Sequence, residues 1–136
     1  MPFSSENLLK QLDEPGTIDW APELKNRKEA FAFLAQAVRG DRLNRDQFRN
    51  ALHMLFRMAF PENADEVLQI FVDLAAHEDI AIRSEAVQLA IGLLRISTNL
   101  KTPLLLSNVQ ERSVREAMGR GLTPKVAGLA REFFAI

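Results

Sequence analysis

The chain has 136 residues, 47% of them hydrophobic and 26% charged, with a formal net charge of −1 at pH 7. This composition fits one globular domain and is too apolar for a disordered chain. The absence of cysteine excludes a disulfide framework, a thiolate nucleophile and a Cys-ligated zinc ion. A net charge near zero gives no overall attraction to nucleic acid or to a membrane.

The N-terminal region predicts one short helix followed by a linker. Ser4 or Ser5 is expected to cap a helix that runs to about Asp13, and Thr17–Ala21 to form the linker. Met1–Lys10 lacks the cationic start and apolar centre of a signal peptide. No apolar run approaches the roughly 18 residues of a membrane span. We therefore expect a cytoplasmic protein that does not contact a membrane.

The second and third helices are predicted from proline, glycine and capping residues. Pro22 suits the first position of a helix that Gly40 would end. Asn44, with Gln47 three residues later, is typical of a capping box, and Pro61 is expected to stop that helix. Helical spacing predicts the inward face of the second helix as Leu24, Phe31, Leu34, Ala35 and Val38.

The fourth and fifth helices are predicted to be joined by the short turn 77–79. Asn63 or its neighbours would start the fourth helix, and Asp79 would cap the fifth. Residues 82–96 would form a helix with only a narrow polar strip. Other parts of the fold must cover such a helix on several sides. The fourth helix is expected to bury Val67, Ile70, Phe71 and Leu74. The polar residues of 82–96 are Arg83, Ser84, Glu85, Gln88 and Arg95.

The C-terminal region predicts two further helices. Leu104–Leu106 is an apolar patch, Ser107 is expected to cap a sixth helix that ends within 119–121, and Pro124 to open a seventh. We expect Phe133 and its neighbour Phe134 to close the core. If exposed, they would dock a partner or a second copy of the chain. No segment alternates as a strand does, so the predicted fold is all-α, with six to seven helices.

The segment Asp79–Ala86 resembles the turn and second-helix start of a HEAT repeat. In that family an aspartate in the turn and an arginine after an aliphatic residue tie neighbouring repeats together by hydrogen bonds. The resemblance implies this structural role for Asp79 and Arg83. It also implies stacked antiparallel helix pairs, with a compact helical bundle as the alternative. We expect one domain over 1–136, with an N-terminal helix and linker in 1–21 and the helix pairs in 22–136.

Charge is distributed unevenly along the chain. Residues 37–57 carry five arginines against two aspartates, a net charge of +3. Residues 58–85 carry seven acids against one arginine, a net charge of −6. Residues 86–136 carry seven basic side chains against three glutamates, a net charge of +4. Two opposite charge groups therefore adjoin each other along the sequence.

A basic stripe and an acidic group are the candidate protein-binding residues. Steps of four residues drift by only about 40° around a helix, so four basic side chains fall in one stripe. Either the stripe pairs with the acidic group inside the fold, or one of the two binds a partner protein. The arginine stripe consists of Arg45, Arg49, His53 and Arg57. The acidic group consists of Asp65, Glu66 and Asp73.

Catalysis and cofactor binding are not expected. Asp73 and His77 are four residues apart and would form an orienting pair on one helix face, which is more typical of a surface contact. His53 and His77 fall on separate helices with no third metal ligand implied. No glycine-rich phosphate loop or nucleophile elbow occurs.

The predicted function is that of a non-catalytic protein-binding domain. It would act as an adaptor, a regulatory subunit or an inhibitor, as immunity proteins do, by steric and electrostatic occlusion. Nucleic-acid binding by the arginine stripe is the first alternative. Phe33, Phe60 and Trp20 could stack on bases, but phenylalanines at helical spacing are more typical of a core. An enzyme centred on Asp73 and His77 is the second alternative.

Overall fold

The computed structural model describes residues 5–13, 27–40 and 42–135, and within them the chain is all-α, as predicted. No strand occurs among these residues, and turns or irregular segments separate the helices. The predictions for Thr17–Ala21, Pro22 and Leu24 fall outside the described residues. The described residues form seven helices: α1 (Ser5–Asp13), α2 (Arg27–Ala37), α3 (Arg45–Arg57), α4 (Ala64–Leu74), α5 (Ile80–Ser97), α6 (Asn108–Arg120) and α7 (Pro124–Phe134).

Side-chain caps define three of the helix starts where the sequence predicts them. The Asn44 side chain accepts a hydrogen bond from the Gln47 amide at 2.8 Å, and the Gln47 side chain accepts one from the Asn44 amide at 3.1 Å. Ser107 caps α6 with a second capping box. Asp79 accepts hydrogen bonds from the first amides of α5. Each cap satisfies amides that would otherwise have no partner within the helix.

The helix α3 ends earlier than predicted. Its last residue is Arg57, and residues 60–63 form a turn that contains Pro61. The residue immediately before a proline avoids the helical conformation, which disfavours continuation of the helix through Phe60.

The chain divides into two compact units, residues 1–58 and 59–136. In the first unit α1, α2 and α3 pack against one another. The Asn50 side chain donates a hydrogen bond to the carbonyl oxygen of Leu12 at 2.6 Å. The predicted inward residues of α2 that the structure describes, Phe31, Leu34, Ala35 and Val38, are all buried.

The second unit is built around α5, which packs against α4 and α7, while α4 also packs against α6. The four predicted core residues of α4 are buried, as are Leu89 and Leu93 on α5. The covering of α5 is therefore confirmed over most of its length. It fails at Ile96, which is 49% exposed.

Two polar residues near the start of α5 lie inside the fold, and a third, Ser97, is buried at its end. Arg83 and Ser84 are 5% and 3% exposed. Arg83 donates hydrogen bonds to the carbonyl oxygens of His77, at 2.8 Å, and Gly121, at 2.9 Å. Ser84 Oγ accepts one from the Thr123 amide at 2.9 Å. These bonds compensate the cost of burial and join the start of α5 to the link between α6 and α7.

Candidate protein-binding surfaces

The arginine stripe is solvent-exposed along the whole of α3. All four of its members are exposed, while the opposite face of the helix is buried. From Arg45 to Arg57 the helix rises about 18 Å, so the stripe presents a side chain about every 6 Å, and three of the four are arginines. Such an array attracts an extended acidic surface.

Two features of this stripe oppose helix stability. Arg45 is the first residue of α3, where the helix dipole disfavours a cation. Arg45 and Arg49 are like charges four residues apart, an arrangement that repels by a few tenths of a kcal/mol. Arg42, also exposed, extends the basic surface, and its guanidinium lies 5.4 Å from the centre of the Phe33 ring.

The acidic group is exposed, but its members also serve their own helix. Asp65 and Glu66 lie in the first turn of α4, where the helix dipole favours carboxylates. Asp73 accepts a hydrogen bond from the Gln69 side chain at 2.8 Å, and Gln69 accepts one from Gln110 of α6, also at 2.8 Å. Asp73 therefore belongs to a polar network that joins α4 to α6. The pairing of this group with the arginine stripe stays a prediction.

The structure corrects the placement of His77. Asp73 lies on α4, but that helix ends at Leu74, so His77 is beyond it and does not share a helix face with Asp73. The chain turns at residues 75–76, and His77 Nδ1 accepts a hydrogen bond from the Asp79 amide at 3.0 Å. His77 thus contributes to the turn that precedes α5. In the described part of the chain, no three His, Asp or Glu side chains are grouped to hold a metal ion.

An apolar groove with a volume of about 400 Å³ lies in the second unit. It is formed by the end of α5, the irregular segment 103–107, the exposed face of α6 and the end of α7. Phe133 and Phe134 line it and are half-buried, so they do not close the core as predicted. The buried residues of α7 are instead Val126 and Ala130. The other apolar residues that line the groove are Leu94, Leu104, Leu105 and Leu106.

Charged side chains of both signs border the groove. The Arg115 guanidinium lies 4.7 Å from the Phe134 ring centre and 3.4 Å from Glu111 Oε1. Arg95 lies 3.9 Å from Glu132 Oε1. Arg95, Arg115 and Glu111 line the groove, and exposure makes each ion pair weakly stabilising.

Ser97 anchors the segment that forms one side of the groove. It is fully buried, and its Oγ donates a hydrogen bond to the Leu94 carbonyl oxygen at 2.8 Å. The same oxygen accepts a hydrogen bond from the Leu104 amide at 3.0 Å. The segment that carries Leu105 is therefore fixed to the end of α5.

Sequence reasoning identifies Leu104–Leu106 and the C-terminal phenylalanines separately and does not predict that they meet. Their only common signal is that both are apolar stretches without a polar face. No helix in the described part of the chain is long and apolar enough to cross a bilayer. Comparisons with models of known protein families, with characterised proteins and with solved structures find no match for this chain.

Proposed function

We propose that the protein is a non-catalytic, cytoplasmic protein-binding domain that acts as an adaptor, regulatory subunit or inhibitor. The proposed binding surface is the arginine stripe of α3, and the proposed partner is a protein with an acidic helical face. Binding would cover that face and block its other contacts by steric and electrostatic occlusion.

The observation that carries the proposal is the row of exposed basic side chains along one face of α3. Arg45 opposes the helix dipole, and its charge repels that of Arg49. Natural sequences depart from local stability rules mainly at functional sites.

The spacing of the stripe indicates the shape of the partner. Acidic residues at every fourth position of a partner helix are also about 6 Å apart along the helix axis. Arginine and carboxylate form charge-assisted, often bidentate hydrogen bonds, which are stronger than neutral ones. A parallel or antiparallel acidic helix therefore matches the stripe.

The HEAT resemblance is part of this proposal. Arg83 binds the carbonyl oxygens of the turn that precedes α5 and of the link that follows α6, which supports its role as a tie between helix pairs. Stacked helix pairs present long, regular faces, and proteins built this way commonly use such faces to bind other macromolecules.

The proposal is tested by affinity capture with a neutralised stripe. The variant Arg45→Gln, Arg49→Gln and Arg57→Gln should lose a partner that the unchanged protein captures, while keeping its helical content and thermal midpoint. A matched control replaces three exposed basic residues of the second unit: Arg112→Gln, Lys125→Gln and Arg131→Gln. The purified partner should bind this control as tightly as the unchanged protein. Equal affinity for both variants contradicts the proposal.

Nucleic acid is the alternative ligand of the same stripe, and salt titration separates the two. Three arginine–phosphate contacts predict a slope of about −2.7 in a plot of log affinity against log salt for double-stranded DNA. Gel-shift titration with DNA and RNA at two salt concentrations measures this slope. The alternative replaces the proposal if the unchanged protein binds nucleic acid, the stripe variant does not, and no protein partner is captured.

A further inference from the structure

We propose that Arg42, held beside the ring of Phe33, is a further binding residue of the surface that the arginine stripe forms. It binds a carboxylate of the acidic partner beyond the part that contacts α3, and so selects partners whose acidic face is longer than the stripe. This inference rests on the proposed function, because it extends the same surface and requires the same class of partner.

Arg42 lies close to the stripe along the chain. It is exposed and is three residues before Arg45, the first residue of α3. Three residues of chain span at most about 11 Å, so Arg42 extends the basic surface by no more than this distance. A partner helix needs up to about seven residues beyond those that match the stripe to reach Arg42 as well.

The main chain at Arg42 is held in place before a partner binds. Leu43, the next residue, is buried. Asn44 follows it and forms the capping box of α3 with Gln47. A binding residue on a main chain that is already ordered loses less conformational freedom when the partner binds.

The Phe33 ring positions the guanidinium of Arg42. The guanidinium carbon lies over this half-buried ring, 5.4 Å from its centre, which is within the range of a cation–π contact. The donors of a guanidinium lie in its plane, so a ring beside it leaves donors available for a bidentate carboxylate. In the described part of the chain, Arg42 forms no ion pair with a carboxylate. Phe33 is therefore a positioning residue, and Arg42 is the group that meets the partner.

Designed helical peptides serve as the acidic partner in the test. A short alanine-based peptide carries four glutamates at every fourth position, which matches the stripe. Two longer peptides carry further glutamates over about seven more residues, one at its N-terminal end and the other at its C-terminal end, so that either orientation is covered. Fluorescence anisotropy of the labelled peptides at low ionic strength measures each affinity for the full chain.

The readout is the ratio of the affinities for the long and short peptides. Arg42→Gln should weaken binding of one longer peptide by about 5-fold and that of the short peptide by less than about 2-fold. Phe33→Leu keeps the charge but removes the ring, and should weaken the same longer peptide by about 2-fold to 5-fold. The double variant should bind as Arg42→Gln does, because Phe33 acts through Arg42. A general loss of stability would affect all peptides equally and would leave the ratio unchanged.

The matched control is Arg112→Gln, which removes one exposed positive charge of the second unit and should leave the ratio unchanged. If Arg42→Gln does not change the ratio, the inference is overturned. The proposed function survives that result when the variant with the neutralised arginine stripe loses all three peptides. If the unchanged protein binds none of the peptides, the stripe does not recognise an acidic helix, and the inference and the proposed function are both wrong.

Discussion

Arg83 Nε donates a hydrogen bond to the carbonyl oxygen of Gly121 over 2.9 Å, across 38 positions of sequence. The Nη1 group of the same guanidinium donates to the carbonyl oxygens of His77 and Glu78, at 2.8 and 3.1 Å. One buried side chain thus binds the loop before α5 and the loop after α6. Arginine suits this position because its donors form a rigid planar fork.

Replacement of Arg83 is expected to destabilise the protein strongly. Arg83→Ala leaves three partly buried carbonyl oxygens without their donor, and we expect a loss of about 2–4 kcal/mol in the free energy of unfolding. Arg83→Lys keeps the charge but not the fork, and should recover only part of that loss. Urea denaturation measures both. The control Arg95→Ala removes an exposed, 3.9 Å ion pair and should cost less than about 1 kcal/mol.

Two neighbouring glycines are expected to respond to alanine with opposite signs. Gly121 has φ +113°, a conformation that side-chain-bearing residues rarely adopt, so Gly121→Ala should lower stability by about 1–3 kcal/mol. Gly119 lies inside α6, and an added Cβ meets nothing within 4 Å. Gly119→Ala should raise stability by about 0.5–1 kcal/mol, because it reduces the conformational freedom of the unfolded chain. Thermal unfolding gives both signs, and a gain for Gly121→Ala would contradict the backbone conformation.

The hydroxyl of Ser97 is expected to contribute more to stability than the hydroxyl of Thr98. Ser97→Ala removes the acceptor of the Leu104 amide and should lower stability by about 1–2 kcal/mol. Thr98 is exposed, and its hydroxyl donates to the Arg95 carbonyl oxygen, so Thr98→Ala should change stability by less than about 0.5 kcal/mol. Urea denaturation compares the two. Equal effects would show that Ser97 does not anchor the segment beside the groove.

Charge reversal at the two ends of α3 is expected to separate helix stability from binding. Arg45→Glu places an anion at the positive end of the helix dipole and four residues before Arg49, both favourable. Arg57→Glu places an anion at the negative end. The first variant should be more stable than the second by about 0.5–1 kcal/mol in thermal or urea unfolding, while both weaken binding of the acidic partner. If Arg45→Glu is instead the less stable variant, the positive charge of Arg45 does not oppose the stability of α3.

The helices and their starts could be predicted from local sequence. Asn44, Asp79 and Ser107 cap helices through residues two or three positions away, so each signal is contained in a short window. The arginine stripe is predicted for the same reason, because helical spacing alone decides that its members share a face. Their exposure also follows from that spacing, since the opposite face of α3 is apolar.

Features that depend on distant main-chain groups could not be predicted. Ser84 belongs to the predicted polar strip, yet it is buried, and its Oγ accepts from an amide 39 positions away. The HEAT resemblance implies a structural role for Arg83 but does not identify Gly121, 38 positions away, as its partner. Backbone carbonyls and amides exist at every position, so the sequence contains no signal of which one a side chain binds. The groove could not be predicted for a similar reason. It requires contact between Leu104–Leu106 and Phe134, which α6 and most of α7 separate in the sequence.

The Thr123 amide is held by a buried hydroxyl of α5, immediately before α7 begins. Its proton should therefore exchange with deuterated solvent only when the hydrogen bond to Ser84 breaks. Unfolding of α7 would therefore begin at its C-terminal end, at Phe134. The first turn of this helix would remain part of the cooperative core.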